Sequence, residues 1–128
     1  RLESDLVELM LACAERRLGE IEAPRMSDDF ALTVVMAAEG YPGTPKKGGE
    51  IDLDSAEENG AKIFHAGTKR DGGRLVANGG RVLNVTAKGA TATEAQAAAY
   101  EAVDAVQFPD GFCRRDIGQR EVRRERHG

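Results

Sequence analysis

Tryptophan is absent from this 128-residue chain, and cysteine and histidine occur only twice each. Two histidines leave little room for nucleophilic catalysis. His127 stands in the tail, and His65 shares a strand face with Ile63, where a histidine is more often structural than a base. No Ser–His–Asp or Cys–His arrangement can be defended from them. No group of His, Cys, Asp or Glu has metal-ligand spacing, and neither a Walker A loop nor a GxGxxG fingerprint occurs. Cys13 and Cys113 lie outside any CxxC pattern. They read as reduced, buried thiols of a cytosolic protein, with one disulfide as the alternative. Hydrophobic runs stop well short of the ~20 residues of a membrane span, so no membrane partner and a cytoplasmic location are expected.

What is present is an uneven charge. The net charge is −4, yet residues 114–128 carry six Arg against three acids, leaving −7 on the rest. Alternating Arg and Glu make a solvated helix or a frayed tail. Nucleic-acid binding is not expected, because no set of stacking aromatics accompanies the charge. The length suits one domain, or one domain plus a piece of another.

Periodicity places the elements. Residues 5–18 read as a helix with Ser4 as N-cap and Gly19 as its end. Its apolar stripes, Leu2, Leu6, Leu9, Met10, Cys13 and Val7, Leu11, Ala14, Leu18, cover more than half its circumference. Such a helix should be covered on two sides, by protein beyond this stretch. The polar segment Glu20 to Asp29, holding Pro24, is the candidate domain boundary. Phe30 to Ala38 is an apolar run with one Thr, expected as a mid-sheet strand with both faces buried. Short strands follow at Lys62–Ala66, Arg74–Ala77 and Arg81–Ala87, with Gly67–Gly73 and Asn78-Gly79 as turns, suggesting an antiparallel meander. Arg81, Leu83 and Val85 fall on one strand face. Thr91 and Glu94 form a capping box opening a helix to Val106, whose small residues allow close approach to a sheet. Phe112-Cys113 are expected to tuck onto the core. The fold class is α+β: a mostly antiparallel sheet of about four strands against one long C-terminal helix.

Two Gly-rich corners carry basic residues: Gly40–Gly49, with Lys46 and Lys47, and Asn78–Arg81. Glycine admits close backbone approach and Arg offers a fork to phosphate, so two corners on one sheet can grip an anion. Two ordinary surface turns with incidental charges account for the same residues.

Several segments match a known family in order and approximate spacing. They are Phe30–Pro42 (FALTVVMAAEGYP), Phe64–Thr68 (FHAGT), Asn78–Ala87 (NGGRVLNVTA), Glu94–Val106 (EAQAAAYEAVDAV) and Phe112–Gly118 (FCRRDIG). Together they resemble glycinamide ribonucleotide synthetase, the phosphoribosylamine–glycine ligase family. Arg1–Cys13 resembles the helix that closes that family's ATP-grasp domain. The resemblance covers nearly all of the chain before the tail. Two features depart from the family pattern: Pro45, where Tyr is frequent, and Glu50–Asp54, which lacks a Gly often present.

The resemblance implies that residues 1–22 are the terminal helix of the ATP-grasp domain and 23–120 the C-terminal domain; by composition 121–128 are a basic tail, expected as disordered or a frayed helix. It implies an enzyme that makes glycinamide ribonucleotide from glycine, 5-phosphoribosylamine and ATP, through an acyl phosphate, with Mg²⁺ or Mn²⁺ on the ATP phosphates. The metal-binding and ATP-binding groups would lie upstream, so the chain alone is expected to be inactive and to bind no cofactor. Its partners would be the N-terminal and ATP-grasp portions of the same protein. By the same resemblance Gly79, Gly80 and Arg81 match a corner near the ribose phosphate, and Lys47-Gly48 match the family's Lys-Gly. No catalytic residue and no metal ligand are assigned. The alternatives are another ATP-grasp carboxylate–amine ligase, against which the Gly-Tyr-Pro and FCRRDIG motifs argue, and a non-catalytic interaction module.

Overall fold

A computed structural model describes residues 1–128. Helix α1 (Leu6–Ala14) is followed by a 3₁₀ turn (Leu18–Glu20), then strand β1 (Phe30–Ala38). Strands β2 (Lys62–His65), β3 (Thr68–Asp71), β4 (Arg74–Ala77) and β5 (Arg81–Gly89) precede helix α2 (Ala92–Ala105). The short strand β6 (Gly111–Phe112) and helix α3 (Gln119–His127) complete the chain. The fold is α+β, and no helix is long and apolar enough to cross a membrane.

Strands β2, β5, β1 and β6 form one antiparallel sheet in that order. Strand β1 sits inside the sheet with the bounds that its apolar run predicted. Burial is one-sided along most of it, not two-sided as expected: Leu32, Val34 and Met36 pack into the core under α2, while Thr33 and Val35 on the other face are exposed. Ala95, Ala99 and Ala102 are buried, and their small side chains let α2 lie close on the sheet. Thr91 caps α2 by accepting from the N–H of Glu94. The Glu94 carboxylate returns to the N–H of Ala90, one residue earlier than a regular capping box.

The meander is replaced by a separate hairpin. β3, expected as a turn, pairs with β4 across Gly72-Gly73, and neither strand joins the main sheet. Both glycines have positive φ, 57° and 86°, which a tight two-residue turn requires. Neither Asn78 nor Gly79 has a left-handed φ, so that corner turns the chain from β4 into β5 without pairing them.

A bulge decides where Arg81 points. The β1–β5 register runs from Phe30↔Gly89 to Met36↔Leu83, then jumps to Ala37↔Arg81. Val82 is the extra residue, and an extra residue reverses the side-chain alternation beyond it. Leu83 and Val85 are therefore fully buried while Arg81 is exposed on the open face, not beside them as simple alternation predicted.

The N-terminal helix also departs from expectation. Asp5, not Ser4, is the N-cap, accepting from the N–H groups of Val7 (2.8 Å) and Glu8 (3.3 Å). Ser4 instead accepts from the N–H of Arg25 and ties the following segment back. α1 stops at Ala14 because Arg16 takes φ 59°, with Arg17 N–H on Ala12 C=O and Arg16 N–H on Cys13 C=O, the Schellman pattern. Gly19 plays no part in that ending. Leu6, Val7, Met10 and Leu11 remain exposed, Val7 by 72% and Met10 by 63%. Cys13 is exposed and Cys113 half-buried, both free thiols, so neither is the buried group expected. Phe112 is exposed as well, and Phe108 takes the core position instead, packed against Gly111.

The basic end forms α3 and docks through two residues. Val122 is buried, and the Glu125 carboxylate accepts from Ala92 N–H (2.9 Å), Thr93 N–H (3.0 Å) and Thr93 Oγ1–H (2.6 Å). A carboxylate of α3 thus completes the N-terminus of α2. The Thr93 hydroxyl first, then the Ala92 N–H, hold the Glu125 carboxyl below the usual carboxylate range. A depressed folded value means stability that is present above the unfolded pKa and is lost as pH falls through the folded one. Acidification below about pH 4, or Glu125→Ala at neutral pH, is expected to release α3. Amide exchange would then accelerate over residues 119–127 with the sheet still protected; unchanged protection of those amides would refute the latch.

Candidate functional site

The bulge brings Arg81 to a groove of about 330 Å³ on the open face of the sheet. Thr33, Val35 and Ala37 of β1 form its floor. Tyr41 and Pro42 flank it, joined by a cis peptide bond, and Phe112, Cys113, Arg114 and Ile117 complete the lining. The Thr33 and Thr86 hydroxyls lie 2.8 Å apart across β1 and β5. Arg81 takes part in none of the chain's salt bridges, so its guanidinium is free for an anion.

The glycines shape this corner from within. A Cβ on Gly80 would lie 2.5 Å from Tyr41 Cδ2, so only glycine lets that ring settle on the turn. A Cβ on Gly67 would lie 2.8 Å from Gly79 Cα and 2.7 Å from the Arg81 carbonyl. Gly67 N–H donates to Arg81 C=O (2.9 Å) and Asn78 N–H to Gly67 C=O (2.7 Å), which fuses the two loops under Arg81. The need for glycine at 79 and 80 is thus met by the chain's own packing. Lys47 is exposed and outside the groove lining. Its neighbour Lys46 is engaged, 2.6 Å from Asp110 and 3.8 Å from Glu39, and the Asp110 hydrogen bond raises its pKa. Of the four predicted residues, the structure gathers Gly80 and Arg81 at Tyr41, puts Gly79 just behind, and leaves Lys47 apart.

Tyr41 and Arg114 are the groove residues that residue-by-residue reading passed over. Arg114 is bound in a fork to Asp116, Nε to Oδ1 at 3.0 Å and Nη2 to Oδ2 at 2.7 Å. This hydrogen-bonded pair raises the Arg114 pKa and lowers that of Asp116. The Tyr100 hydroxyl donates to Arg114 C=O (2.7 Å) and accepts from Ile117 N–H (3.0 Å), while Gln96 Nε2 donates to Ile117 C=O (2.7 Å). Both anchors stand on α2. The only available signal was the motif FCRRDIG itself, since no spacing relates residue 114 to residue 81.

A larger cleft of about 650 Å³ lies between residues 50–54 and the β3–β4 hairpin. Its charges are mixed and some pair locally, as Arg74 does with Glu50 at 3.5 Å, so it offers no single-sign site. No group of three or more His, Cys, Asp or Glu side chains is disposed to hold a metal ion.

The family model described as "Phosphoribosylglycinamide synthetase, C domain" matches residues 31–120. A phosphoribosylamine–glycine ligase of Mesorhizobium japonicum is 58% identical over 127 residues, covering 98% of this chain and 30% of that protein. One from Vibrio cholerae is 48% identical over 129 residues, with 98% and 29% covered. Among solved structures, the crystal structure of phosphoribosylamine–glycine ligase from Thermotoga maritima matches with a TM-score of 0.68 at 38% identity. That match covers 86% of this chain and 27% of the other. The chain therefore spans about 30% of the length of the curated relatives it matches.

Proposed function

The chain belongs to the phosphoribosylglycinamide synthetase C-domain family, and from that premise we propose that it is the C-terminal part of an ATP-dependent ligase joining glycine to 5-phosphoribosylamine. The observation that carries this reading is the 58% identity, over 98% of the chain, to a phosphoribosylamine–glycine ligase. The apolar residues left exposed on α1 support it, since a further domain of a larger protein would cover them. In this reading the glycine carboxylate takes the γ-phosphoryl group of ATP, releasing ADP. The substrate amine then attacks the acyl carbon, displacing phosphate and losing a proton to give glycinamide ribonucleotide. ATP and Mg²⁺ or Mn²⁺ would supply the phosphoryl group and its charge neutralisation. The residues of this chain do not fit the metal, having no cluster of His, Cys, Asp or Glu ligands.

This chain's share is the open face of its sheet. Arg81, with no acidic partner, neutralises the phosphate of 5-phosphoribosylamine, and Gly79, Gly80 and Tyr41 hold the Arg81 corner in place. Lys47, outside the groove, is given no contact. A cytoplasmic location accompanies the reading, because the synthesis draws on an intracellular ATP pool. The test is steady-state kinetics of the full-length ligase that carries this chain. Glycine should be joined in an ATP-dependent manner, whereas the isolated chain should show no turnover. Arg81→Ala should raise the KM for 5-phosphoribosylamine about tenfold to a hundredfold, the worth of a charge-assisted hydrogen bond, and leave that for ATP unchanged. An unaltered KM would remove Arg81 from the site, and a full-length protein without ligase activity would end the reading.

A further inference from the structure

We propose that Arg114 is a second substrate-binding residue, which closes with Arg81 on the phosphate of a phosphorylated pentose lying on Val35 and Ala37, and that Tyr100 is the positioning residue behind it. The inference rests on the function proposed above and assigns residues that the family motif alone does not. Both arginines line one groove with an apolar floor. A guanidinium has five N–H donors. The fork to Asp116 occupies one on Nε and one on Nη2, so three remain, in a plane that Asp116 fixes. Arg81, Arg114 and Asp116 together leave one net positive charge at the groove, which favours an anion.

Arg114 is also held from behind. Its carbonyl and the Ile117 N–H close on a single oxygen, the Tyr100 hydroxyl, and Gln96 fixes the Ile117 carbonyl. These anchors stand on the helix that packs the core, so the segment bearing Arg114 is ordered before any ligand arrives. Ordering beforehand removes a cost of binding. The groove's size chooses between phosphate sources. About 330 Å³ is at the small end for ligand sites and suits a pentose phosphate better than a nucleoside triphosphate.

Kinetics of the full-length ligase test this with four proteins: wild type, Arg114→Ala, Arg114→Lys and Tyr100→Phe. Arg114→Ala should raise the KM for 5-phosphoribosylamine by at least about tenfold while those for ATP and glycine stay put. Arg114→Lys should recover part of the loss, because lysine keeps the charge without the fork. Tyr100→Phe keeps the ring and removes only the bridging oxygen. It should raise the same KM several-fold with kcat and the thermal midpoint nearly unchanged. If Arg114→Ala leaves the KM for 5-phosphoribosylamine unaltered, or moves the KM for ATP instead, the assignment is wrong. If Tyr100→Phe lowers the thermal midpoint without touching that KM, Tyr100 is merely structural and its positioning role is refuted. A wild-type enzyme that joins no glycine would overturn the function reading and this inference together. An active wild type with an indifferent Arg114→Ala would overturn this inference alone.

Discussion

Leu83→Ala is expected to destabilise the protein by about 3–5 kcal/mol, the range for truncating a fully buried leucine in a core that cannot collapse. Leu83 has no exposed surface and belongs to the cluster shared by β5, β1 and α2. Opposite it on β1 stands Met36, and the Val82 bulge beside it fixes the backbone. The cavity would thus be walled by elements with little freedom to close over it. A domain of this size commonly has about 5–15 kcal/mol in hand, so much of the stability would go. Urea denaturation followed by circular dichroism reads the change as a lower midpoint at constant slope. A loss under about 1 kcal/mol would mean that the core repacks and that Leu83 is not the keystone the burial suggests.

Gly40→Ala is expected to cost about 3 kcal/mol or more, for two reasons that add. Gly40 has φ +89°, where a Cβ alone costs about 1–2 kcal/mol. That Cβ would also overlap the carbonyl oxygen of Thr44, which is backbone and cannot rotate away. The loop is closed by Lys46 N–H on Glu39 C=O at 2.7 Å and by Tyr41 N–H on Ala38 C=O at 3.1 Å. Relief of the clash must therefore open it. Tyr41 follows directly and forms a wall of the groove, so the substitution should weaken both the fold and the site. Thermal denaturation should show a midpoint lower by roughly 10 °C, using about 2–8 °C per kcal/mol for domains near this size. A midpoint within about 2 °C of the wild type would show that the loop yields freely and that its conformation is not what glycine secures.

The two substitutions mark the boundary between local and long-range information. Strand β1 and helix α2 were legible because each carries its own period and its own ends: an apolar run between Asp29 and Glu39-Gly40, and Thr91 with Glu94 ahead of an alanine-rich stripe. The end of α1 was not, because a non-glycine residue, Arg16, adopts the left-handed turn that sequence patterns assign to Gly19. The β3–β4 hairpin was hidden by two competing turn signals, Gly72-Gly73 and Asn78-Gly79, which differ only in the φ values that the folded chain imposes. The tail was read from composition as solvated or frayed, yet a pairing 32 residues distant, Thr93 with Glu125, docks it on α2.

For the site, the Gly-Arg corner and the FCRRDIG motif were visible as residues, and the family they belong to followed from their order. Alternation along β5 placed Arg81 with the buried residues, and it was wrong because one extra residue at Val82 reverses the phase. That Arg114 shares a groove with Arg81 depends on β1 lying between their segments, which no spacing encodes. By itself, then, the sequence determined the helix and strand periods, the family and the chemical types available. Which face each side chain serves, and which distant residues meet across the open sheet, was decided by strand register and helix docking. Those depend on pairings between remote segments, whereas periodicity reports only on neighbours along the chain.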